Sequence, residues 1–184
     1  MINYDLKVDI ENDLVSWKIN NILYKLQINR LRAATILDDQ FIYIKNLDQK
    51  NEMQVQYYSL TGDFVFSYTK NSGGVSWNSK YGPKEIFVND LLSANIYQPE
   101  EIVIVLSGVK NKNCKLLIYG FDGDLKVQCH EPENYYFSYL SRYEGRPAIV
   151  CIGNEKTKDN YGRNDWKFVI NPITGELTKI SLAY

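Results

Sequence analysis

Short apolar runs rich in Val, Ile, Tyr and Phe recur along the chain, separated by clusters of polar residues and glycine. Runs of that length, with β-branched and aromatic residues and punctuated by Gly, Asn and Asp, predict strands rather than helices. Three stretches share one phrasing: YYSLTGDFVFSY (57–68), LIYGFDGDLKVQ (117–128) and KFVINPITGELTKI (167–180). Aligned, they put Gly62, Gly123 and Gly175 in register, at intervals of 61 (62 to 123) and 52 (123 to 175). Each reads as strand, short turn, strand, with glycine supplying the positive φ a tight hairpin requires.

A further pair of extended runs precedes each hairpin. AATILDDQFIYIKNL (33–47) breaks at Asp38-Asp39, SANIYQPEEIVIVLSG (93–108) at Pro99-Glu100-Glu101, and YYFSYLSRYEGRPAIVCIG (135–153) at Glu144-Gly145-Arg146-Pro147. The predicted fold is therefore all-β, with an antiparallel four-strand meander repeated about three and a half times. A hairpin over 4–31, turning at Asn20-Asn21, leads into units at about 32–70, 86–131 and 135–184. A single domain over 1–184 is expected at this length. Pro83 ahead of KEIFVNDLL predicts one short helix over 84–92. A four-strand unit recurring about every 50 residues resembles the blade of a small β-propeller, which implies blades packed face to face. A β-sandwich built from the same hairpins is the alternative.

Charge narrows the partners. Twenty-one Lys and Arg against 22 Asp and Glu leave a net charge of -1, without the general positive field that nucleic-acid binding uses, so no direct nucleic-acid contact is expected. Three cysteines, 114, 129 and 151, have no CxxC spacing and share the chain with one histidine, which predicts reduced thiols and no zinc site. The opening MINYDLKVDIENDLV lacks the basic start and apolar run of a secretion signal, and no run is long enough for a membrane helix. A cytoplasmic, monomeric protein without membrane contact is expected.

No catalytic motif stands out. Cys129 and His130 are strand neighbours that point to opposite faces, which separates them as a dyad. A cation at Asp122-Gly123-Asp124 would need further converging oxygens, but the chain runs directly into Leu125-Lys126-Val127. The phrase therefore reads as a turn, with no metal and no cofactor. Tyr135, Phe137 and Tyr139 alternate as one aromatic strand face and are expected in the core.

The order of strands predicts where charge collects. If every unit runs down, up, down, up, the hairpin turns share one rim, and that rim carries Asp38, Asp39, Asp63, Glu100, Glu101, Asp122, Asp124, Glu144 and Glu176. The longer connections share the other rim: 46–53, 70–84, 107–115 and 153–166. They lean basic through Lys80, Lys84, Lys110, Lys112, Lys115, Lys156, Lys158 and Arg163, and carry Trp77, Tyr81 and Tyr161. Aromatic loops on a rigid scaffold are common contact surfaces. The expectation is a non-enzymatic protein-binding domain. In size, charge and lack of chemistry it resembles bacterial toxin-immunity and antitoxin proteins, which implies a cognate, basic toxin, such as a nuclease, as partner. A carbohydrate or small-ligand binding β-domain is the alternative.

Overall fold

The computed structural model describes residues 5–109 and 112–183. Its described residues form seventeen strands and one short 3-10 turn, and the chain divides into two compact units, Met1–Phe87 and Val88–Tyr184. Among the described residues the fold is all-β, every pairing is antiparallel, and none of the four sheets closes on itself.

Unit 1 begins with a three-stranded sheet of β1 (Lys7–Asp9), β2 (Leu14–Ile19) and β3 (Ile22–Gln27). Ile19 pairs with Ile22, so Asn20-Asn21 is a two-residue loop, and both asparagines take positive φ (48° and 66°). Asparagine tolerates that region better than most side chains, and the turn type matches the twist of the flanking strands. Val15 and Trp17 face inward from β2 and are fully buried, at 0% exposure. The Trp17 indole stacks on Tyr24 at 5.7 Å and donates to the Leu60 carbonyl at 2.8 Å, so its polar edge is satisfied inside the core.

The second sheet of unit 1 has six strands in chain order: β4 (Leu31–Leu37), β5 (Phe41–Leu47), β6 (Met53–Ser59), β7 (Phe64–Thr69), β8 (Gly74–Ser79) and β9 (Gly82–Phe87). The first four are the expected meander. The last two correct the sequence reading, because 70–84 is no long loop and 84–92 is no helix. In GVSWNS, Val75 and Trp77 are buried while Ser76 and Asn78 are more open, a period of two that fits a strand. Strand β9 alternates in the same way, and Pro83 is tolerated because β9 is the sheet edge, where a missing N–H breaks no inner ladder. Asp90, with φ 54°, then breaks the chain before the next strand.

This hairpin exposes a repeat that the glycine phrases conceal. Strands β2, β3 and β4 recur as β8, β9 and the first strand of unit 2, each displaced by 60 positions (14 to 74, 22 to 82, 31 to 91). Val15-Ser16-Trp17 and Val75-Ser76-Trp77 mark the same point, and Arg30 and Asp90 hold the same positive φ at the same offset. The true unit is a hairpin plus a four-strand meander. It occurs twice, and a meander without the hairpin follows.

Unit 2 contains two four-stranded sheets, β10 (Leu91–Tyr97), β11 (Ile102–Val109), β12 (Lys112–Gly120), β13 (Leu125–His130), then β14 (Tyr135–Tyr143), β15 (Arg146–Gly153), β16 (Asp165–Ile170), β17 (Leu177–Leu182). Ile104, Leu106, Leu116 and Ile118 of the first sheet share a core with Phe137, Ile149, Cys151 and Phe168 of the second. The Tyr97 hydroxyl donates to the Ser141 carbonyl at 2.9 Å, and Arg142 donates to the Ile96 carbonyl at 2.8 Å while lying over the Tyr97 ring. The expected inward stripe of Tyr135, Phe137 and Tyr139 holds only in part. A bulge between Phe137 and Tyr139 flips the alternation, so Phe137 is buried, Tyr135 packs edge-on against Phe168, and Tyr139 is 51% exposed.

Candidate functional site

The three aligned glycines take φ of 91°, 93° and 76°, so the recurring phrase is a turn at all three places. At Asp122-Gly123-Asp124 a lysine stands where a cation would be needed. Lys126 Nζ lies 2.7 Å from Asp122 Oδ2 and 3.6 Å from Asp124 Oδ2. The Lys126 hydrogen bond holds the Asp122 carboxyl below its ordinary pKa, and the same bond raises that of Lys126. Among the described residues no cluster of His, Cys, Asp and Glu is disposed to hold a metal ion.

Antiparallel connectivity sorts the turns by end. In the six-stranded sheet the β4–β5, β6–β7 and β8–β9 turns share one end, which carries Asp38, Asp39 and Asp63, all exposed. Lys80 and Tyr81 lie at that same end, contrary to the expectation that they belong with the opposite loops, because the β8–β9 hairpin places them there. Tyr81 is 55% exposed with the Lys80 ammonium 5.3 Å from its ring centroid. Trp77, expected in an exposed loop, is fully buried in β8 and unavailable to a partner.

In unit 2 the β10–β11 and β12–β13 turns put Glu100, Glu101, Asp122 and Asp124 at one end of the first sheet, and Glu144 and Glu176 share one end of the second. The Tyr97–Ser141 and Ile96–Arg142 bonds bring the Glu100-Glu101 turn next to the Glu144 turn. Glu100 and Glu101 are half-buried, and Glu100 Oε2 is buried without a hydrogen-bond partner. Asp124 and Glu176 are exposed, and Glu144 pairs with Arg146 at 3.5 Å. The opposite end carries the 154–164 connection. Desolvation works to raise the Asp159 pKa there, yet hydrogen bonds from Arg163 and from the Tyr161 N–H hold it below the usual carboxylate value. That bracing presents Tyr161 at 84% exposure, with Arg163 over its ring. Lys110 lies outside the described residues, as does the side chain of Lys112.

No protein-family model and no curated protein matches this chain. Its chemistry must therefore be read from its own residues. His130 is exposed and Cys129 buried, so the neighbours do face apart, and His130 Nε2 lies 3.3 Å from the Gln128 amide. Burial pushes the Cys129 thiol up, and burial together with the Glu131 carboxylate pushes Cys151 up, which leaves both protonated and unreactive. Among the described residues no helix is long and apolar enough to cross a membrane.

One feature of unit 1 gave no signal in the glycine phrases. Where β5 ends and β6 begins, Asn46, Gln54, Gln56 and Tyr58 form a connected file of polar side chains along a cleft of about 790 Å³. The alternation MQVQYY carried the information, since it puts two glutamines and a tyrosine on one face of a strand whose other face is Val55 and Tyr57.

Proposed function

We propose that this chain is a non-enzymatic protein-binding domain that covers a basic partner with the acidic turn end of its meanders, in the manner of a bacterial immunity or antitoxin protein in the cytoplasm. The observation that carries this reading is the sorting of charge. Six carboxylates (Glu100, Glu101, Asp122, Asp124, Glu144, Glu176) occupy turn ends of the two sheets of unit 2, against Lys126, Arg142, Arg146 and Lys167 nearby. Exposed carboxylates steer a cationic partner and raise its association rate. The finer architectural reading, a small propeller-like stack of blades, is supported by the way β14 lies against β10 and the β16–β17 turn lies against β13.

The test is capture of partners from the source cell at low and high salt, using the wild type and an Asp124→Lys/Glu176→Lys variant. A basic protein held by the wild type at low salt, and lost with salt or charge reversal, supports the proposal. Absence of any specific protein at low salt refutes it.

A further inference from the structure

The structure assigns a second binding site: we infer that the polar cleft of unit 1 takes a neutral, polyhydroxylated ligand of mono- to disaccharide size. The cleft lies at the β5–β6 end of the six-stranded sheet, opposite Asp38, Asp39 and Asp63, and none of the acidic-turn carboxylates is among its lining residues. Its volume of about 790 Å³ falls within the range of small-ligand pockets.

The floor is built rather than incidental. Asn46 is only 4% exposed, and its amide donates to the Asn29 and Leu47 carbonyls, both at 3.3 Å, and to Gln54 Oε1 at 3.4 Å. Its oxygen accepts from Gln56 Nε2 at 3.0 Å; Gln56 Nε2 also donates to Gln54 Oε1 at 2.8 Å, and the Tyr58 hydroxyl donates to Gln56 Oε1 at 2.6 Å. A strand face of this kind would be cheaper to fill with apolar residues if packing were its sole purpose. The network ties both glutamines to Asn46 and Tyr58, and all four side chains belong to residues that line the cleft. Burial raises the Tyr58 pKa, so the phenol stays neutral and can both donate and accept.

Three of the four charged side chains that line the cleft are already engaged. Asp13 accepts from the Arg30 and Leu31 N–H groups at 3.0 and 2.8 Å, Arg30 Nη1 donates to the Asp48 carbonyl and to Asn51 Oδ1, and Asp48 Oδ1 accepts from the Lys50 and Glu52 N–H groups. Two carboxylates and two cations, Asp13 and Asp48 with Arg30 and Lys50, give the lining no net sign to attract an ion. An apolar ligand would strand the amide groups unpaired. Hydroxyls, which donate and accept at once, match the mixed amide and phenol groups.

The experiment is an amide-resolved NMR titration of the full chain with glucose, galactose, N-acetylglucosamine, maltose and myo-inositol, each to about 20 mM, well above a millimolar dissociation constant. Glucose 6-phosphate is the charged comparison. The expected result is a saturable shift of the Asn46, Gln54 and Gln56 side-chain amides by a neutral probe, unchanged between low and high NaCl. Gln54→Ala should weaken it at least tenfold, a loss of about 1.4 kcal/mol. Tyr58→Phe keeps the ring against Phe64 and removes only the hydroxyl, so it serves if Gln54→Ala fails to fold. No saturable shift with any neutral probe overturns the inference, as does binding of glucose 6-phosphate alone with salt dependence, or undiminished binding in the folded variants. Partner capture in Gln54→Ala should be unchanged, so this site can fail without bearing on the acidic end.

Discussion

Gly62 and Gly175 occupy the same place in the recurring phrase, yet replacing each with alanine should have unequal consequences. Both hold φ in the left-handed region, 91° and 76°, where an alanine costs about 1–2 kcal/mol. At Gly62 an added Cβ meets nothing within 4 Å, so that backbone strain is the whole cost. At Gly175 the Cβ would sit 2.5 Å from Val127 Cγ1 and 2.9 Å from Cys129 Sγ, because the β16–β17 turn is pressed onto β13. Val127 is β-branched with a stiff χ1, and Cys129 is buried, so neither moves freely. Overpacking adds about 1–3 kcal/mol, for a total of about 2–5 kcal/mol. Urea unfolding read by tryptophan fluorescence separates the two, since Trp17 and Trp77 report on unit 1 and Trp166 on unit 2. With an m-value of about 1.5 kcal/mol/M, a loss of 3 kcal/mol lowers the midpoint by about 2 M. Val127→Ala in the Gly175→Ala background should restore part of the loss, because it removes the nearest clash. Equal losses at the two glycines, or no rescue by Val127→Ala, would refute the account of how the two sheets of unit 2 meet.

The Asp122 pKa is held below 3.8 by the Lys126 hydrogen bond, so the turn gains stability from that pair above pH 3.8 and loses it as pH falls through the lower, folded-state value; a carboxyl NMR titration should show this midpoint, and Lys126→Met should return it towards 3.8. All three cysteines are buried, and Cys129 and Cys151 have raised pKa values, so a thiol reagent at pH 8 should label none of them in the native protein and all three in denaturant; rapid native labelling of Cys151 would contradict the burial of β15. Trp17→Phe removes the donor to the Leu60 carbonyl and leaves a void in the unit 1 core, and should cost about 2–4 kcal/mol in the same urea assay; a loss below 1 kcal/mol would mean that this core is not close-packed.

Hairpins were the most legible part of the sequence, because each combines a period of two with a turn residue that has few substitutes. Asn20-Asn21, Asp38-Asp39 and the three phrase glycines all take the positive φ that their positions demanded. The β8–β9 hairpin was hidden because Pro83 mimics a helix start, and an edge position that excuses proline is invisible until the sheet order is known. Tyr139 was misassigned because a bulge inserts one residue without any marker in the local composition. The amide file was missed for a different reason. Asn46 lies on β5 and Gln54 and Gln56 on β6, and only the antiparallel register, which sets Asn46 opposite Gln54 and Ile44 opposite Gln56, joins them into one surface.

Connection ends in a meander obey parity, and parity explains which site inferences survive an error. The hidden β8–β9 pair follows the turns of Asp38, Asp39 and Asp63 and so leaves them at their common end, which its own turn residues, Lys80 and Tyr81, join. A bulge acts differently. It preserves the end at which a turn lies and reverses the face on which every later side chain points, which is why Glu144 remains at the turn end while Tyr139 leaves the core. Charge assigned by turn position is therefore robust to the commonest misreadings of an all-β sequence, whereas aromatic faces assigned by alternation are not. In this chain the carboxylates at the turn ends are placed by strand connectivity. The amide cleft rests on strand register, and substitutions at Gln54 and Tyr58 probe that register directly.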